Sequence, residues 1–96
     1  MNKTILIIED EIRIRFLLKD YLLSEGFSVI EAYDGEEGLM AFKNNNVDLI
    51  LLDIMMPKID GLTVLENIRT VSDIPIILLT AKSQEEDKLY GYDIGA

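Results

Sequence analysis

The stretch VDLILLDIMMPKIDG, Val47–Gly61, ends an unbroken run of large aliphatic side chains in a carboxylate, Asp53. A strand interior has no use for an ionised group, which loses its hydration on burial. A turn at that point would accept many residues. Asp53 is therefore informative only through what the fold brings beside it.

Working outward, four runs are rich in β-branched and aliphatic residues: TILII (Thr4–Ile8), FSVIEA (Phe27–Ala32), VDLILL (Val47–Leu52) and IPIILLT (Ile74–Thr80). The first, third and fourth are nearly continuous, as parallel strands covered on both faces require. The second alternates and suits an edge. Helical patterns lie between them. One spans Glu11–Glu25 and stops at Gly26, with Ile14, Leu17, Leu18, Tyr21 and Leu22 spaced as a single core-facing stripe. A second opens at Asp34 with Glu37 three residues on, a capping-box pattern. A third follows PKIDG, with Asp60 as N-cap and Leu62, Leu65 and Ile68 on one face. A fourth opens at Ser83, with Glu86 three on, and runs toward Gly95, carrying Tyr90 and Tyr92. No internal repeat or linker interrupts this order.

Strand and helix alternating four times imply right-handed βαβ units and a doubly wound parallel α/β sheet. In a flavodoxin-like order, 2-1-3-4, strands one and three are neighbours, as are three and four. Glu9 and Asp10 directly follow the first run, Asp53 follows the third, and Thr80 ends the fourth. All four then lie at carboxyl ends of strands, where such sheets bind ligands.

Composition narrows the chemistry. The 96 residues bound one small domain, 49% hydrophobic and 28% charged, with the balance of a globular protein. Lys and Arg number 9 against 18 Asp and Glu, and the net charge of −9 argues against a phosphate-binding surface, so no DNA binding is expected of this segment. No apolar run is long enough to span a bilayer, and MNKTILIIEDE lacks a signal-peptide cleavage site. Without an export signal or cysteine, a cytoplasmic location is expected. The absence of histidine excludes a Ser-His-Asp triad, a His zinc site and a phosphohistidine relay within the chain.

Three carboxylates gathered at one point repel and raise each other's pKa unless a cation shares them. Oxygen-only ligands select a hard cation, and Mg²⁺ is the usual intracellular choice. A carboxylate oxygen left free beside it is an acceptor for phosphoryl transfer, which gives Asp53 a purpose. Each residue also has a plainer use. Glu9–Asp10 fits a helix cap, Asp53 an Asx-turn before Pro57, and Thr80 an ordinary strand end. Only their joint placement favours the site.

LIIEDE (Leu6–Glu11), LLDIMMPKIDG (Leu51–Gly61), IPIILLTAK (Ile74–Lys82) and GYDIGA (Gly91–Ala96) closely resemble the response-regulator receiver domain of two-component signal transduction. The wording is nearest the subgroup that carries a winged-helix DNA-binding domain. The resemblance makes Asp53 the phosphoacceptor, Asp10 a direct Mg²⁺ ligand, Glu9 a ligand largely through water, and the Met55 backbone carbonyl the remaining ligand. It makes Thr80 the switch hydroxyl, has the Ala81 amide help hold the phosphoryl group, and lets Pro57 and Gly61 shape the loop beneath the acceptor. The implied phosphodonor is a separate sensor histidine kinase. A receiver continues into a fifth strand, with an aromatic and a lysine before proline, and a fifth helix; none follows GYDIGA here. Residues 1–96 are therefore expected to be an incomplete receiver, β1-α1-β2-α2-β3-α3-β4-α4. Strand four should be an unpaired edge, and the chain metastable or completed by a second copy through domain exchange or edge pairing.

Two surface features complete the reading. Ile12, Phe16 and Leu23 fall on the first helix opposite its core stripe, either as scattered apolar residues or as a docking strip for a kinase four-helix bundle. Met55 and Lys82 flank the site, where their bulk could limit water and lengthen the phosphoryl lifetime, or be ordinary surface variation. Two rival functions stand beside the receiver: a truncated, non-catalytic assembly piece, and a Mg²⁺-dependent phosphohydrolase with an aspartyl intermediate. The hydrolase normally needs an acid two residues after the nucleophile, where this chain has Met55.

Overall fold

A computed structural model describes residues 2–56, 59–81 and 89–93. Five strands and three helices follow in the order β1 (Thr4–Ile8), α1 (Ile12–Ser24), β2 (Ser28–Ala32), α2 (Gly35–Asn44), β3 (Leu49–Asp53), α3 (Gly61–Arg69), β4 (Ile76–Ala81) and β5 (Leu89–Asp93). The sheet order is β2-β1-β3-β4-β5. The first four strands pair in parallel and reproduce the expected 2-1-3-4 order, with β2 at one edge.

Side chains alternate across each strand, so the apolar runs supply two faces at once. Leu6, Ile8, Ile50, Leu52, Ile76 and Leu78 enter one core with Val64, Leu65 and Ile68 of α3, and Leu39 and Phe42 of α2 pack against it. Ile5, Ile7, Leu51 and Leu79 form the opposite core, which Leu18 and Leu22 of α1 cover.

The helix boundaries follow local chemistry. Gly26 takes φ +94°, its amide bonds the Leu23 carbonyl and the Phe27 amide bonds the Leu22 carbonyl, a Schellman ending for α1. Asp34 accepts from the Glu37 amide at 2.8 Å, while Glu37 reaches back to the Tyr33 amide at 3.0 Å. Asp60 accepts from the Thr63 amide at 2.9 Å and caps α3.

Two expected stripes are corrected. On α1, Leu18 and Leu22 pack, whereas Leu17 is 70% and Tyr21 63% exposed. No residue of α1 is fully buried. The helix packs on β1 and β2, and of the five expected positions only Leu18 and Leu22 join the apolar cluster on that face. On α3, Leu62 faces out and Val64 faces in. Gly61, Val64, Leu65 and Ile68 are the i, i+3, i+4, i+7 set that points at the sheet.

The largest correction concerns the end of the chain. Leu89–Asp93, expected within a fourth helix with Tyr90 and Tyr92, form β5 antiparallel to β4, with Thr80 opposite Tyr90 and Leu78 opposite Tyr92. Strand four is therefore paired along its outer side, by an antiparallel strand and not by the parallel fifth strand of the receiver pattern. The outward N–H and C=O groups of β4 need partners, and LYGYD, with two tyrosines, suits a strand. The Ser83–Glu86 capping pattern lies outside the described residues.

Candidate metal centre

The centre is built where β1 and β3 end. Parallel register sets Ile8 beside Leu52 and Asp53 beside Leu79, so Glu9, Asp10 and Asp53 emerge at one level. One carboxylate oxygen from each of these three acids lies within 4.8 Å of the others. Glu9 is 1% and Asp53 3% exposed, while Asp10 faces solvent. The sequence-based expectation that these three acids converge is met.

Local bonding separates the plain uses from the functional one. Glu11, not Glu9 or Asp10, caps α1, accepting from the amides of Arg13 at 3.1 Å and Ile14 at 3.4 Å. The Glu11 amide in turn donates to Glu9 Oε2 at 3.0 Å. Asp53 does make the turn contact foreseen for it: the Met55 amide donates to its Oδ1 at 3.0 Å. Its carboxylate also supplies one of the three oxygens that lie within 4.8 Å of one another. Beneath it, Gly61 is required by space, because a Cβ there would collide with the Asp53 carbonyl and the Ile54 Cα.

Electrostatics express the crowding. Burial, followed by the nearby Asp53 charge, pushes the Glu9 carboxyl up to about 8, against the bond from the Glu11 amide. Burial likewise raises Asp53, partly opposed by the Met55 amide, and Asp10 adds to the rise. Without a cation, Glu9 and Asp53 hold their protons more tightly than free carboxyls do. A hard divalent ion fits this donor set. It consists of oxygens alone, gathered closely enough that a small contraction would let one ion be shared among them.

Of the other expected residues, Met55 lies beside the site with its side chain exposed. Thr80 and Ala81 end β4, the strand next to Asp53. The Thr80 hydroxyl lies outside the described part of the structure, as do Pro57 and Lys82. Ile12, Phe16 and Leu23 are all exposed on α1, and Lys19 Nζ sits 5.5 Å from the Phe16 ring centroid.

Sequence reading missed one residue. Arg15 donates from Nη1 to the Glu9 backbone carbonyl at 2.9 Å and from Nε to Glu31 Oε1 at 3.0 Å. Lys19 Nζ holds the other Glu31 oxygen at 3.1 Å. Burial pushes the Glu31 carboxyl up, yet the bonds from Lys19 and Arg15 outweigh it and leave it below the usual range. An acid inside the apolar run SVIEA was the available signal.

Comparison with known proteins places this geometry. The family model described as response regulator receiver domain matches residues 5–96. The probable transcriptional regulator ycf27 of Porphyridium aerugineum is 48% identical over 95 residues, 99% of this chain and 40% of the relative. The transcriptional regulatory protein CpxR of Klebsiella pneumoniae is 45% identical over 96 residues, 100% of this chain and 40% of the relative. The chain thus spans about two fifths of the curated relatives it matches. Response regulator TrrA of Thermotoga maritima, solved in complex with Mg²⁺ and BeF, superposes with a TM-score of 0.80 at 50% identity, covering 84% of this chain and 71% of that one. With a family match over nearly its whole length and relatives that are transcriptional regulators, the chain belongs to the response regulator receiver domain family.

Proposed function

We propose that this receiver accepts a phosphoryl group on Asp53 from the phosphohistidine of a separate sensor histidine kinase, and so switches the partner interactions of a DNA-binding transcriptional regulator. The observation that carries the reading is the meeting of Glu9, Asp10 and Asp53 at one level, with the capping duty of α1 taken by Glu11 instead. Asp10 and Asp53 would hold Mg²⁺ directly, Glu9 largely through water, and the Met55 carbonyl would complete the protein ligands. The ion supplies charge neutralisation for the three phosphoryl oxygens.

The remaining chemistry belongs to the chain. The Asp53 oxygen that does not hold the ion attacks phosphorus in line, the P–N bond to the donor histidine breaks, and the imidazole leaves with its electron pair. The Met55 amide, bonded to Asp53 Oδ1, fixes the plane of the carboxylate and with it the angle of attack. Thr80 and the Ala81 amide would hold the transferred oxygens. The TrrA complex with Mg²⁺ and BeF supports a site of this kind in a relative. A net charge of −9 supports leaving DNA contact to another part of the regulator. Among the described residues no helix is long and apolar enough to cross a membrane.

Incubation with Mg²⁺ and acetyl phosphate, followed by intact mass measurement, tests the proposal. A stable phosphoryl adduct that disappears in Asp53→Ala is expected. No adduct favours an assembly piece, and steady turnover of phosphate esters favours a hydrolase. The exposure of Ile12, Phe16 and Leu23 supports kinase docking on α1. Phe16→Ser should then slow kinase-dependent transfer by about tenfold while sparing acetyl phosphate, since the loss of one interface anchor costs about 1–2 kcal/mol. Edge pairing between copies, if it operates, falls to β5 or β2, the strands that end the sheet.

A further inference from the structure

The contact between Arg15 and the Glu9 carbonyl has a mechanical consequence. That carbonyl belongs to the peptide joining Glu9 to Asp10. A peptide unit is planar, so pinning its oxygen also pins the Asp10 amide and narrows the torsions that aim both acids. The rest of Glu9 is already tied down: its amide bonds the Ala32 carbonyl at 3.1 Å, and its carboxylate accepts from the Glu11 amide. The plane that follows it is what remains to be set. Arg15 sets it from a guanidinium whose side chain is only 13% exposed, clamped on its other edge by Glu31.

We infer that Arg15 is a positioning residue of the metal centre, orienting the Glu9–Asp10 peptide so that the two acids meet Asp53 around a divalent ion. This rests on the proposed Mg²⁺ role of the three acids. The sign of its effect makes the inference testable. A guanidinium brings positive charge toward a site for a dication, so by charge alone its removal would tighten metal binding. By positioning, its removal weakens binding, because the acids must be ordered at the moment the ion arrives. Lysine keeps the charge but, as a single ammonium, cannot span the Glu9 carbonyl and Glu31 together as the guanidinium fork does. Both substitutions should therefore weaken binding.

The experiment is calorimetric titration of Mg²⁺ into the unmodified chain, R15A, R15K and D53N, with circular dichroism melting curves for each. Binding that depends on Asp53, and a dissociation constant raised about tenfold in both R15A and R15K, is the expected result, the size set by losing an outer-shell partner of a ligand. A purely stabilising arginine would lower the melting temperature and leave the dissociation constant unchanged, which overturns the inference. Tighter binding in R15A would overturn it as well. Should R15A fail to fold, R15K decides alone. If the unmodified chain binds no Mg²⁺, or D53N binds it equally, the proposed function falls and the inference with it. Intact Asp53-dependent binding with unaffected arginine variants removes only the inference.

Discussion

The two faces of the sheet are held by different physics. On one, α2 and α3 press Leu39, Phe42, Val64, Leu65 and Ile68 into a core with Leu6, Ile8, Ile50 and Leu52. On the other, α1 offers only Leu18 and Leu22 to the core, and is otherwise fastened by polar contacts: the Glu11 cap, the Schellman ending at Gly26, and Arg15 bridging Glu31 and the Glu9 carbonyl. By strand alternation Glu9 and Asp53 continue the rows Ile5–Ile7 and Leu49–Leu51 of this second face. The acids thus stand over the side that directional bonds hold. Apolar packing supplies stability without regard to angle, whereas hydrogen bonds and ion pairs set angles, which is what a ligand-bearing loop requires.

The contrast can be broken most sharply by matched truncations. Ile68→Ala, in the fully packed face, should cost about 3 kcal/mol of unfolding free energy, with transfer and cavity terms both lost. Leu22→Ala, half-buried on the α1 face, should cost about 1–2 kcal/mol. Equal costs in urea unfolding would mean that α1 is packed as deeply as α3.

A titration sharpens the comparison on the acid-bearing side. Glu9 is raised from 4.5 to about 8 and Asp53 is also raised, so between those pH values the folded chain binds protons that the unfolded chain has released. Stability of the metal-free domain should therefore be greatest at the acid end of that window and fall as pH rises toward 8. Millimolar Mg²⁺ should oppose the fall by binding the ionised folded state. Melting temperatures at pH 5 and pH 8, with and without Mg²⁺, read this directly. A metal-free domain that gains stability over the range would refute the burial of ionisable acids on this face.

The smallest effect is expected at Leu17, which sequence periodicity assigns to the core and the structure exposes. Leu17→Gln should change stability by less than about 0.5 kcal/mol. A cost like that of Leu22→Ala would return Leu17 to the packed stripe.

The legible parts of the molecule were those with local causes. Gly26, Asp34 and Asp60 end or begin helices through bonds spanning a few residues, and each does so as the sequence implies. The convergence of Glu9, Asp10 and Asp53 was legible for a related reason: once β1 and β3 are neighbours, parallel register leaves little choice about what meets at their ends. Leu17, Tyr21 and Leu62 were misplaced because periodicity marks an apolar arc on a helix without saying how wide a strip of sheet lies under it.

The sequence by itself determined the four parallel strands, their order, the caps and the identity of the clustered acids, since these follow from side-chain pattern and short-range hydrogen bonding. Only the tertiary structure decided that Leu89–Asp93 pair with β4 instead of continuing as helix, and that Arg15 grips the Glu9 carbonyl. Both depend on partners brought from other elements: an edge whose backbone groups must be satisfied, and a guanidinium placed by α1 between β1 and β2.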